Sequence, residues 1–186
     1  MNHLGTQRIE TERLILRPFT AEDAPAAFRN WTSDPEVTEY LTWPTHPNID
    51  VTRHVIQNWV SRYSNPDNYQ WAIELKSLGE PIGSVAVVWS QEEGPLSLAV
   101  LGYCMGKAWW GQGLMPEAVR AVIGFLFDRV GYGCIQARHD ANNPKSGRVM
   151  QKSGMTRVGI LRKAGLNNQG LVDEVLYDML PTDPRP

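Results

Sequence analysis

The stretch Gly106-Lys-Ala-Trp-Trp-Gly-Gln-Gly-Leu-Met-Pro-Glu-Ala118 joins a β-like run, residues 97–105, to a long apolar segment with helical spacing. Glycines at 111 and 113 let the backbone take positive φ, so that consecutive N–H groups turn toward one point at the start of that helix. Such a point suits an anion. The helix end favours negative charge, and each charge-assisted hydrogen bond adds roughly 1.5–3 kcal/mol. The expected donors are Gly111, Gln112, Gly113, Leu114 and Met115, with Trp110 leading into the turn. The spacing is neither G-x-x-x-x-G-K-[ST] nor G-x-G-x-x-G, because Gly113 is followed by Leu114, Met115 and Pro116. The arrangement of strand, glycines and helix suits a pyrophosphate cradle built from backbone amides, with no lysine required.

Upstream of the loop, residues 69–76, 81–89 and 96–105 read as an antiparallel meander, with turns at 77–80 and 91–95. Earlier still, residues 10–17 alternate as a strand that stops at Pro18, and Thr20 caps a helix reaching about Trp31. Residues 50–62 carry an apolar stripe through Val51, Val55, Ile56, Trp59 and Val60, whereas the segment holding Pro35, Pro44 and Pro47 reads as loop. Downstream, residues 114–129 are apolar on nearly every side and should lie against a sheet until Gly131 stops them. A strand at 134–139, a short helix at 144–152 and strands near 155–161 and 172–180 complete the order β-α-α-β-β-β-α-β-α-β-β. This order predicts one domain of mixed α/β (α+β) class, a mostly antiparallel sheet of about seven strands with helices on both faces.

Ala108-Trp-Trp-Gly111-Gln-Gly113 resembles the Arg/Gln-x-x-Gly-x-Gly/Ala acyl-CoA loop of the GNAT acetyltransferase superfamily, with Ala108 where Arg or Gln is common. Two further motifs are similar to its RimJ/RimL-like branch, the ribosomal-protein N-acetyltransferases: Glu10-Thr-Glu-Arg-Leu-Ile-Leu-Arg-Pro18, and Asn143-Pro-Lys-Ser146 followed by Val149-Met-Gln-Lys-Ser-Gly154. Together the three motifs span almost the whole chain in the same order. The resemblance implies the GNAT fold, with a splayed strand pair that receives the pantetheine arm of acetyl-CoA as an extra strand would. It implies backbone contacts from Tyr103, Cys104 and Met105, a primary amine as acceptor, in particular a protein N-terminus, and a homodimer. No nucleic acid, membrane or metal partner is expected.

The reaction so implied is attack of a neutral amine on an acetyl thioester, with loss of the CoA thiolate. The protein must accept a proton and stabilise the leaving sulfur. Freeing a typical α-amine (pKa about 8) of its proton at pH 7 costs roughly 1.4 kcal/mol, against roughly 4.6 for lysine, so a weakly equipped site favours α-amines. Many GNAT enzymes place a tyrosine on the short helix after the fifth strand, but here that helix carries Ser146, Arg148, Val149, Met150 and Gln151. By resemblance Ser146 replaces it as donor to the sulfur; as a residue of a helix first turn it needs no such role. Glu74 is the expected base, or a solvent-facing residue of its strand, and His139 and Asp140 are further candidates. Asn143 either reaches the pantetheine and phosphate region or only caps a helix before Pro144. Trp31, Trp43 and Trp59 read as an aromatic acceptor wall or as core.

Composition narrows the classes. The chain has 186 residues, 42% hydrophobic and 20% charged, with a formal net charge of −2, which argues against a general nucleic-acid binder. No run approaches the roughly 18 apolar residues of a membrane span, and a cytosolic protein is expected. Cys104 and Cys134 sit in apolar runs and read as buried thiols, and His3, His46 and His54 lack metal-ligand spacing. Two other functions compete with protein N-terminal acetylation: acetylation of a small-molecule amine such as an antibiotic or polyamine, and acyl-CoA sensing without turnover.

Overall fold

The computed structural model describes residues 1–186. Eight strands form one sheet: β1 (Ile9–Glu10), β2 (Leu14–Arg17), β3 (Gln70–Leu75), β4 (Glu80–Glu93), β5 (Leu96–Met105), β6 (Cys134–Asp140), β7 (Thr156–Asn167) and β8 (Gly170–Met179), in the order β1-β2-β3-β4-β5-β6-β8-β7. All neighbours are antiparallel except β5 and β6. Five α-helices accompany them: α1 (Ala24–Ala27), α2 (Pro35–Thr38), α3 (Ile49–Ser61), α4 (Leu114–Phe125) and α5 (Pro144–Lys152). No helix is long and apolar enough to cross a membrane.

Local chemistry sets the helix starts. Asn48 accepts from the N–H groups of Asp50 and Val51 to cap α3, while Asp34 caps α2, with Pro35 preset at its first position. Thus α2 interrupts a proline-containing segment expected to be loop. Another departure is the single strand expected over 10–17, which folds as the two short strands β1 and β2. The Thr11 N–H donates to the Leu14 carbonyl, and the Thr11 hydroxyl oxygen accepts from the Leu14 N–H, closing a turn between them. β7 runs on to Asn167, past its expected end, through a register shift between Leu161 and Gly165 where Lys163 takes φ 51°.

Strand alternation divides the interior into two layers. Leu14, Leu16, Trp71, Ile73, Leu101 and Ile135 face α4 and pack with Ala118, Val119, Val122 and Leu126 in the larger core. On the opposite face Ala72 joins Phe19, Ala27, Trp31 and Ile56 beneath α1–α3. Trp31 is therefore a core residue. The larger core holds α4 with its first turn at the end of β5, which places the glycine loop at the sheet's open seam.

Candidate active site

Gly111 and Gly113 both take φ 77°, and Gly113 forms the N-cap of α4 in the left-handed region. The N–H groups of Gly111, Gln112, Gly113, Leu114 and Met115 donate to no protein acceptor, so five consecutive amides are free for an anion. The loop around them is braced. Trp110 Nε1 donates to the Met105 carbonyl at 2.7 Å, Gln112 Nε2 donates to the Ala108 carbonyl at 2.9 Å, and Lys145 Nζ sits 4.8 Å from the centre of the Trp110 ring. A cation reaches the loop from elsewhere in the chain. Arg13 Nη1 donates to the Gln112 carbonyl at 3.0 Å, and its Nη2 lies 2.6 Å from Glu117. Arg13 thus brings a guanidinium to the loop although Ala108 occupies the motif position that is commonly Arg or Gln.

Beside the loop the sheet opens. β5 and β6 pair in parallel from Leu98↔Cys134 to Leu101↔Ala137 and no further, whereas β5 stays paired with β4 through Tyr103, Cys104 and Met105. Beyond Leu101 the β6-facing edge of β5 is unpaired, an arrangement with backbone donors and acceptors for an extended amide-containing ligand. The free amides and this open edge suit two adjoining parts of an acyl-CoA, its pyrophosphate and its pantetheine arm.

Facing this gap, Ser146 in the first turn of α5 meets Tyr103. The phenol oxygen is 2.9 Å from Ser146 Oγ and donates to the Ser146 carbonyl at 3.0 Å. Burial pushes the Tyr103 pKa above its ordinary value, against the Ser146 hydrogen bond. Asn143 Oδ1 faces the Ser146 N–H at 3.4 Å as the cap of α5. Cys104 Sγ lies 3.4 Å from Ser84 Oγ, and burial raises its pKa, so the thiol is a poor nucleophile.

The opposite face of the sheet holds the carboxylates. Glu74 accepts from Arg17 Nε at 2.6 Å, and Arg17 makes a two-pronged pair with Asp23, both contacts 2.8 Å. Asp23 first, and then Glu74, push the arginine's pKa above its ordinary value. This holds one oxygen of Glu74, the expected base, in an ion pair. Asp140 is buried and accepts from the Asn142 N–H and from Asn167 Nδ2, both at 2.8 Å. The tip of the β7–β8 hairpin is clamped over this side. Asn168 bonds to the carbonyls of Leu41, Thr38 and Trp43, and Gln169 to that of Glu39.

Residues 13–156 match the family model described as an acetyltransferase (GNAT) domain. The chain belongs to the GNAT acetyltransferase family. Among relatives of this GNAT protein, the uncharacterized N-acetyltransferase YoaA of Bacillus subtilis (strain 168) is 29% identical over 173 residues, covering 92% of this chain and 96% of YoaA. The [ribosomal protein uS5]-alanine N-acetyltransferase of Escherichia coli (strain K12) is 26% identical over 184 residues, covering 95% and 92%. In fold it resembles RimL, a ribosomal L7/L12 α-N-protein acetyltransferase solved with coenzyme A: TM-score 0.78, 18% identity, 94% of this chain and 98% of RimL. The GNAT chain is therefore an N-acetyltransferase with acetyl-CoA as its acyl donor, and its relatives include a ribosomal-protein N-acetyltransferase of the RimJ/RimL-like branch.

For this GNAT enzyme the structure brings the loop, the edge of Tyr103 to Met105, and Ser146 to one gap, and sets Glu74 and Asp140 on the other face. Reading the sequence missed the parts of Arg13, Lys145 and the Tyr103 side chain. Arg13 does fall in the motif Glu10–Pro18, but nothing local shows that its partner is Glu117, far along the chain.

Proposed function

We propose that the acceptor is the α-amino group of a protein or peptide N-terminus, acetylated by direct attack while both substrates are bound. The observation that carries this is the ion pair between Glu74 and Arg17, at 2.6 Å. With that carboxylate engaged, the site suits an amine that sheds its proton cheaply. An α-amine costs about 3 kcal/mol less than lysine in this respect at neutral pH. The E. coli relative, named for acetylating the alanine of a ribosomal protein, supports the same reading.

On this reading Gly111 to Met115 and Arg13 hold the pyrophosphate, the backbone of Tyr103, Cys104 and Met105 holds the pantetheine, and Asn143 orders the first turn of α5. Acetyl-CoA supplies an activated acyl group. Ser146 donates a hydrogen bond to the leaving sulfur, and the amine's proton passes to water. Asn168 and Gln169 close one wall of the acceptor side.

The test incubates the protein and acetyl-CoA with peptides beginning in free Ala, Ser or Met, with N-terminally blocked lysine peptides, and with spermidine, followed by mass spectrometry. One acetyl group at a free N-terminus is expected, with a rate that climbs as pH approaches about 8, where α-amines lose their proton. Acetylation confined to lysine or spermidine overturns the reading.

A further inference from the structure

We propose that Tyr103 is a positioning residue for acetyl transfer: its phenol holds the Ser146 hydroxyl so that the serine proton is presented to the departing sulfur. This rests on the part given to Ser146 above.

The contact crosses the gap. Tyr103 lies on β5 just past the last pair with β6, Leu101↔Ala137, and its hydroxyl reaches the first turn of α5 with both Ser146 Oγ and the Ser146 carbonyl in range, at 2.9 and 3.0 Å. A serine in a helix first turn otherwise rotates freely among local acceptors. Tyr103 limits it to two states. When the phenol donates to the carbonyl, its oxygen accepts a hydrogen bond from the serine hydroxyl and the pair is closed. When the phenol donates to Oγ, the serine proton points away from Tyr103 and is available to sulfur, and the two hydroxyls polarise each other in series. The short helix thus lacks a tyrosine of its own, and one is delivered to the same turn from the neighbouring strand.

Burial keeps the phenol protonated, so Tyr103 gives a hydrogen bond and not a proton. In the transfer step the amine lone pair forms the C–N bond, the C–S bond breaks with its electron pair on sulfur, and the proton of the amine goes to water. The thiolate keeps its charge, with Ser146 as donor, until it leaves.

The test needs no acceptor. The full-length protein, Tyr103→Phe, Ser146→Ala and the double variant are titrated calorimetrically with CoA and with desulfo-CoA from pH 7 to pH 9.5. As the thiol ionises, near pH 8.5 for an ordinary thiol, the wild-type preference for CoA should rise by about 10-fold, because hydrogen bonds to charged acceptors are the strong ones. Ser146→Ala should remove that rise, Tyr103→Phe should cut it by about 3-fold or more, and the double variant should match Ser146→Ala, since the phenol acts through the serine. Phenylalanine preserves the ring, and equal melting temperatures check the fold. A wild-type rise in Tyr103→Phe, or additive losses in the double variant, overturns the positioning role. An unchanged Ser146→Ala overturns the part of Ser146 with it. Failure of every α-amine in the peptide panel, with this pattern intact, overturns only the acceptor.

Discussion

Gly113 holds φ 77° and ψ 5° at the head of α4, a conformation that costs a residue with a Cβ roughly 1–2 kcal/mol. Gly113→Ala should therefore lower unfolding stability by about 1 kcal/mol in urea titrations and weaken acetyl-CoA binding, because relaxing φ swings the Leu114 and Met115 amides out of line. Gly111 differs in that a Cβ there meets no atom within 4 Å. Because Gly111 holds the same φ of 77°, Gly111→Asp should keep the fold at a similar cost in stability and abolish CoA binding in calorimetry chiefly through its charge; retained affinity would refute the cradle. At Glu74, the ion pair with Arg17 makes a further prediction. Glu74→Gln should leave kcat within about 3-fold of wild type but lower the melting temperature, since removing one partner leaves a partly buried guanidinium less well paired. A loss of about 1,000-fold in kcat would instead make Glu74 the base, general bases contributing 10²–10⁴-fold.

At the scale of elements, α4 is fastened to the β1–β2 hairpin through Glu117, which accepts from the Arg13 N–H, the Thr11 hydroxyl and the Arg13 guanidinium. Burial opposes its ionisation, but these bonds outweigh burial and hold the carboxyl below its ordinary 4.5. A carboxylate lowered in this way binds fewer protons folded than unfolded. Its contribution is complete above the unfolded value and is lost as pH falls through the folded one. Glu117→Gln should flatten this part of the acid-unfolding curve and cost no more than about 1 kcal/mol near neutrality, Arg13 being partly exposed and screened. The hairpin clamp gives a separate expectation. Asn168→Ala removes the side-chain bonds to Thr38 and Trp43 and should raise the acceptor KM while leaving acetyl-CoA affinity unchanged.

Elements differ in how far the sequence reveals them. The meander and α4 were legible because alternation, helical spacing and glycine turns coincide there. The turn between β1 and β2 was not, since Thr-Glu-Arg carries no glycine, proline or asparagine and closes through the Thr11 hydroxyl oxygen, which accepts from the Leu14 N–H. The extension of β7 was hidden by Arg162-Lys163-Ala164, where the strand bulges. In the site, the glycine loop was readable because its chemistry is local and in the backbone. The partners of Arg13, Glu74 and Tyr103 were not, because each is chosen by which strands lie side by side.

For the whole molecule, the decisive geometry is a sheet in two parts, β1–β5 and β6–β8, joined by the four pairs from Leu98↔Cys134 to Leu101↔Ala137. Acetyl-CoA lying along the open edge should slow hydrogen exchange at residues 102–105 and 111–115, and should raise stability by about 2.7 kcal/mol at a hundred times its Kd. Thermal melts with and without ligand check the second effect. Exchange unchanged at residues 102–105 would show that the edge is not where the pantetheine lies. The short parallel seam also bears on durability in the cell. Without the acyl donor, limited proteolysis should cut first beside that join, and saturating acetyl-CoA should delay that first cut. A chain that is cut less when loaded would make the amount of enzyme follow the supply of the metabolite it consumes.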